Sequence, residues 1–131
     1  MQGMITIPSA SKPADALDRI DAELRRRGVV VFARIDHAKG AEQAGMSLRP
    51  TELLIFGNPE LGTRLMLAGQ KIGIDLPLKV LAWLDTEGNS WVSYWDPEWL
   101  AARHELGEAS RPTAHLMGGT LAAVLEVIRA Q

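Results

Sequence analysis

The chain has no cysteine. That absence excludes disulfide staples, thiolate metal sites and a cysteine nucleophile, and it is compatible with a reducing compartment. Small aromatics are scarce: two Phe and one Tyr stand against four Trp. An excess of one charge is also missing. The formal net charge is −2, which gives no electrostatic argument for nucleic acid or an anionic membrane. No apolar run approaches the ~18 residues that a membrane-spanning helix needs. Met1 to Pro8 has neither the basic start nor the long apolar stretch of a signal peptide. These absences lead to the expectation of a soluble, cytoplasmic protein with neither nucleic-acid nor membrane partners. Among reaction signatures, HExxH, GxxxxGKS, GxGxxG and GxSxG do not occur, so metalloprotease, P-loop, dinucleotide-binding and serine-hydrolase chemistry lack sequence support.

What is present reads as one domain over residues 1–131. Hydrophobic residues make up 47% and charged residues 23%, the balance of a globular chain. A chain of this length can bury roughly two-thirds of its unfolded surface around one core. Met4 to Ile7 predicts a short edge strand ended by Pro8. Ser11 and Pro13 mark a helix start, with Ser11 as a candidate cap. Leu17, Ile20 and Leu24 repeat at helical spacing up to Gly28. Val29 to Ile35 is almost wholly apolar and predicts a strand buried on both faces. Ala38 to Gly45 predicts a short helix, and Glu52 to Phe56 a second apolar strand. Asn58 and Pro59 start a helix that the pattern carries to Gly73. Leu78 to Leu84 and Trp91 to Trp95 predict an antiparallel hairpin around Asp85 to Asn89. Asp96 and Pro97 start a helix to about His104, and Thr113 opens the last helix, which contains the Gly118–Gly119 pair. The order β-α-β-α-β-α-β-β-α-α predicts an α+β domain, a mixed or antiparallel sheet of about five strands packed by helices. So few strands leave one face open, a natural surface for a homodimer.

Polar residues gather where these elements begin and end. Asp36 and His37 follow a strand, where ligands tend to sit in open α/β sheets. His37 has the chemistry of a general base or metal ligand; in the plain alternative Asp36 caps the next helix and His37 fills a loop. His37, His104 and His115 are the only histidines, and their spacing does not support a metal site, so none is expected. Asn58 stands at a helix N-terminus that could meet an anion, or it is simply a cap. Lys79 lies on a predicted core strand, unusual for lysine; it faces a pocket, snorkels to an open edge, or pairs with Asp36, Asp75 or Asp96. Asp96 is accounted for as a cap, and Arg103 with His104 as favourable charge at a helix C-terminus. Trp91 and Trp95 share one strand face, a pattern more typical of core or subunit contact than of a ligand cage.

Taken in order, Phe32–Ala33–Arg34–Ile35–Asp36–His37, Leu48–Arg49–Pro50–Thr51–Glu52–Leu53, Phe56–Gly57–Asn58–Pro59, Gly62–Thr63, Ile74–Asp75–Leu76–Pro77–Leu78–Lys79 and Tyr94–Trp95–Asp96–Pro97 closely resemble the DUF302 family of uncharacterised bacterial domains. The match runs from about Leu17 to Leu106. The resemblance implies a compact α+β domain that forms dimers, with no established reaction or cofactor. It points to Asp36, His37, Asn58, Lys79, Asp96, Arg103 and His104 as matching positions. The leading functional expectation is a homodimeric module that binds a small polar or anionic metabolite near His37 and Lys79. The alternatives are an enzyme using His37 or His104 as acid–base with Asp36 or Asp96, and a structural or protein-interaction domain.

Overall fold

The computed structural model describes residues 1–129. Five strands form one sheet: β1 (Met4–Pro8), β2 (Val30–Asp36), β3 (Thr51–Gly57), β4 (Leu78–Leu84) and β5 (Ser90–Trp95). Their order across the sheet is β1-β5-β4-β3-β2, and every neighbouring pair is antiparallel. The helices are α1 (Pro13–Arg26), α2 (His37–Gln43), α3 (Pro59–Ala68), α4 (Pro97–Arg103) and α5 (Arg111–Val124), with short 3-10 turns at Gln70–Asp75, Glu108–Ser110 and Leu125–Ile128. The fold is a single antiparallel α+β layer pair.

Alternation decides which side of the sheet is covered. Leu54, Phe56, Val80, Ala82, Val92 and Tyr94 face the helices and are buried. Leu17, Ile20 and Leu24 of α1 and Leu121, Val124 and Leu125 from the C-terminal segment close over them. Arg34 lies on the same side and fastens β2 to α1: its guanidinium donates to Asp18 Oδ1 at 2.6 Å and to the Ala14 carbonyl at 3.0 Å. Gly118, on α5, faces the start of α4, where a Cβ would lie 3.7 Å from Pro97 Cδ. The helix runs through both glycines unbroken; Gly118 serves the close packing against α4, while nothing lies within 4 Å of where a Gly119 Cβ would be.

The structure differs from the sequence expectation at three places. β2 is an edge strand, not a strand buried on both faces: Val30, Phe32 and Ile35 keep 43, 52 and 41% of their surface free. Its apolar run serves the helix side through Val31, and the uncovered side through Val30, Ala33 and Ile35, with Phe32 at a register shift between Val31 and Ala33. Helix α3 stops at Ala68 rather than Gly73, because Gly69 is extended (φ −161°) and Leu106 packs where its Cβ would be. Finally, α1 begins at Pro13 with no side-chain cap; Ser11 does not fill that role.

Candidate functional site

The pairing registers set out the site geometry. Asp36 pairs with Glu52, which pairs with Ala82. Lys79 pairs with Ile55, three residues from Ala82 along β4, or roughly 10 Å. Asp36 also faces the helix side, whereas Lys79 faces the open side. Asp36 and His37 therefore lie at one end of the sheet, and Asn58, Lys79, Asp96, Arg103 and His104 gather towards the other. At the first end, Asp36 Oδ1 accepts the Lys39 amide at 2.9 Å and caps α2, and His37 is the exposed first residue of that helix. His37 and Lys79 do not converge.

At the opposite end each polar group has a defined partner. Asn58 Oδ1 accepts the amides of Glu60 and Leu61 at 3.0 and 3.3 Å, and Asp96 Oδ1 accepts the Glu98 amide at 3.0 Å. Both act as helix caps. His104 Nε2 lies 2.6 Å from Asp75 Oδ2, and the pair is mostly buried. The sequence offers Asp75 only as a candidate partner of Lys79, whereas here it pairs with His104. Its contact joins the end of α4 to the 3-10 turn across a separation of 29 residues, which no local pattern reveals. His104 also borders a shallow depression with Gly69, Gln70 and Lys71. The Arg103 guanidinium sits 5.5 Å from the centre of the Trp99 ring, a cation–π geometry. Among the described residues no three His, Asp or Glu side chains form a metal-binding group.

The largest undivided feature is the uncovered face of the sheet. Met4 and Thr6 of β1, Trp91, Ser93 and Trp95 of β5, Lys79, Leu81 and Trp83 of β4, Leu53 and Ile55 of β3, and Ala33 and Ile35 of β2 all point to it by strand alternation. Every tryptophan in the chain borders this face. Trp83 and Trp91 stack with centroids 6.3 Å apart, and Trp95 and Trp99 stack at 5.1 Å and 15°. Trp99 reaches Trp95 by lying against Gly3, where a Cβ would be 2.1 Å from the Trp99 ring. Polar atoms on the face are turned inward: Trp83 Nε1–H donates to Ser93 Oγ at 2.9 Å, and Ser93 Oγ bonds Thr6 Oγ1 at 2.8 Å. Trp91 Nε1–H donates to Asp85 Oδ2 at 2.9 Å, at the hairpin turn. That bond, with the amides of Asn89 and Glu87, holds the Asp85 carboxyl below its ordinary range. Among the described residues, Lys79 is the one charged residue that strand alternation places on the face.

Where β3 ends and β4 begins, the face runs into a cavity of about 230 Å³. Phe32, Gly57, Pro59, Met66, Leu76, Pro77 and Met117 line it, with Asn58 and Thr63 as its polar members. Lys79 is not itself part of the lining, but it adjoins the lining residue Leu78, and its Nζ donates to the carbonyl of Pro77, another lining residue, at 3.0 Å. The lining suits an apolar group of modest size, since pockets for drug-sized ligands usually measure ~300–1,000 Å³.

Similar proteins place this architecture. A crystal structure of an uncharacterized conserved DUF302 protein from Bacillus stearothermophilus superposes with a TM-score of 0.86 over 98% of this chain and all of that one, at 19% identity; that likeness concerns the fold alone. Two proteins called fluoride-specific ion channels, FluC 1 of Brucella suis and FluC 2 of Brucella melitensis, are 47% identical to it over 108 residues, or 82% of the chain. The chain spans only 42 and 40% of the length of those relatives. The family model described as "Domain of unknown function DUF302" matches residues 5–127, and the chain belongs to that family.

Proposed function

We propose that the protein is a homodimeric module in which two copies cover one another's open sheet faces and a small molecule is held at the end of the sheet. The observation that carries this reading is the uncovered tryptophan-bordered face. Five strands of about six residues present roughly 500 Å² of flat area, before side-chain relief is counted. Contiguous apolar patches of this size mark interaction sites, and a stable interface takes about 800 Å² of accessible surface per partner. Tryptophan around a nearly uncharged face is the composition of an interface core. Face-to-face packing is favoured over pairing through the edge of β2, because the shift at Phe32 breaks that strand's regular hydrogen-bonding edge. The ligand half of the proposal rests on the cavity beside Lys79, and the candidate polar residues nearest to it are Asn58 and Lys79. Its lining shifts the expected ligand from a wholly polar metabolite to one with an apolar body. Light scattering on the purified chain tests the dimer: twice the chain's mass at micromolar concentration is expected, and a single-chain mass at ~100 µM counts against an interface of standard size.

A second reading is favoured by the Brucella relatives. Their names are those of fluoride-specific ion channels, and this chain matches less than half of their length. No described helix of this chain is long and apolar enough to cross a membrane. The module would then serve beside a fluoride channel, as a partner of the membrane part. Co-expression with such a channel and purification in detergent tests it: the chain is expected to remain with the channel, and its quantitative loss on washing refutes the association.

A further inference from the structure

We infer that the cavity and Lys79 together form a site for a small amphipathic anion, a carboxylate whose apolar body fills the cavity while its charged end meets the Lys79 ammonium. The inference rests on the small-molecule reading above and narrows it to a ligand class.

The first ground is the isolation of the charge. Lys79 is half-buried on a face whose strands present no carboxylate, with Ile55 opposite it on β3. The pairing of Val80 with Tyr94 sets Trp95 one residue further along, on the other side of Lys79. Apolar side chains therefore flank the ammonium, and its recorded bond goes to the Pro77 carbonyl. That single bond leaves two of the three donors of an ammonium for another partner. Water serves them while the face is open. A face covered by a second copy would strip that water away, and a buried cation without a counter-ion is costly. The partner's strands bring no carboxylate to Lys79 by their alternation, and Asp85, at the hairpin end of the face, is already engaged with Trp91 and the turn amides. An anionic ligand supplies the missing charge.

The second ground is position. The bond to Pro77 draws the ammonium towards the cavity, because Pro77 is part of the lining. Gly57, on the neighbouring strand, leaves the wall open there: a Cβ would already touch Pro77 Cβ at 3.4 Å and come within 3.7 Å of the Phe32 ring. Lining of this kind accepts methylene or aromatic carbons. Asn58 Oδ1 is engaged with α3, which leaves its Nδ2 amide donors, in the lining, as neutral company for Lys79. The geometry thus provides one apolar compartment and one cation beside it.

The probe is hexanoate, with hexanol and hexylamine as its neutral and cationic matches, titrated against the whole protein by calorimetry. Hexanoate is expected to bind at least about tenfold more tightly than hexanol, the worth of one charge-assisted hydrogen bond. Lys79→Gln is expected to abolish that preference, and Lys79→Arg to keep it, with melting temperatures of the free variants confirming the fold. Equal binding of hexanoate and hexanol, or a preference that survives Lys79→Gln, overturns the anion site and leaves the apolar cavity standing. Failure of all three probes to bind at millimolar concentration overturns the cavity as a ligand site, and this inference with it.

Discussion

Phe32→Ala gives the sharpest quantitative handle on the proposed dimer. Phe32 keeps 52% of its surface free, which for a phenylalanine of roughly 200 Å² leaves about 100 Å² for a partner to cover. At ~25 cal/mol per Å² that is about 2.5 kcal/mol per copy, and about 5 kcal/mol in a two-fold dimer where the residue counts twice. Each 1.4 kcal/mol is tenfold in affinity, so the dissociation constant should rise by about three and a half orders of magnitude. The folded monomer should suffer far less. A full core Phe→Ala costs ~3–5 kcal/mol, and this ring is only half packed, so about 2 kcal/mol is expected. Sedimentation equilibrium across a concentration series measures the first quantity and urea unfolding the second. Leu67→Ala is the control: that side chain is 83% exposed on α3, away from the sheet face. A dissociation constant for Phe32→Ala within threefold of the parent, or an equal loss for Leu67→Ala, would refute the reasoning.

Two further outcomes follow from the same geometry. Ser93→Ala removes the oxygen that receives Trp83 Nε1–H and bonds Thr6, at a site only 5% exposed; denaturant unfolding should show a loss of about 1–3 kcal/mol, and a loss below 0.3 kcal/mol would mean the network carries no stability. Glu23 should make α1 sensitive to acid. Hydrogen bonds from Arg26 and then Arg27 lower its carboxyl from an ordinary 4.5 to about 2, so its contribution is present above about pH 4.5 and is lost as pH falls towards 2. The stability difference between the parent and Glu23→Gln should close over that window, and shrink in 1 M salt because its partner Arg26 is largely exposed to solvent; a pH-independent difference contradicts the assignment.

The order of strands and helices was legible in the sequence because each boundary carries its own chemistry. Asn58–Pro59 and Asp96–Pro97 start helices and cap them as their residue types require. The hairpin closes at Asp85 to Asn89 with Gly88 at φ +83°. β2 was misjudged for a physical reason. A continuous apolar run signals burial on both sides, yet here the run falls on the edge strand of a sheet covered by helices on one side only. The end of α3 was hidden because the contact that only a glycine permits there, Leu106 packed where a Gly69 Cβ would be, comes from a residue distant in sequence. Among the candidate residues, local spacing identified the caps at Asp36, Asn58 and Asp96 but carried no information on which end of the sheet each would reach. The separation of His37 from Lys79 and the Asp75–His104 contact are products of strand register and chain reversal. Lys79 stood out as a charge on an apolar strand, and it remains the residue that local structure accounts for least.

The absence of cysteine allows a direct test of the central claim that two copies meet through the open face. Leu81 lies in the middle of β4, the central strand, on that face. A single Leu81→Cys variant treated with a short bis-maleimide should give a covalent dimer in high yield at micromolar concentration, while Leu67→Cys on α3 should give none. If Leu81→Cys remains a monomer under those conditions while the parent has dimeric mass, the copies meet elsewhere and the account is wrong.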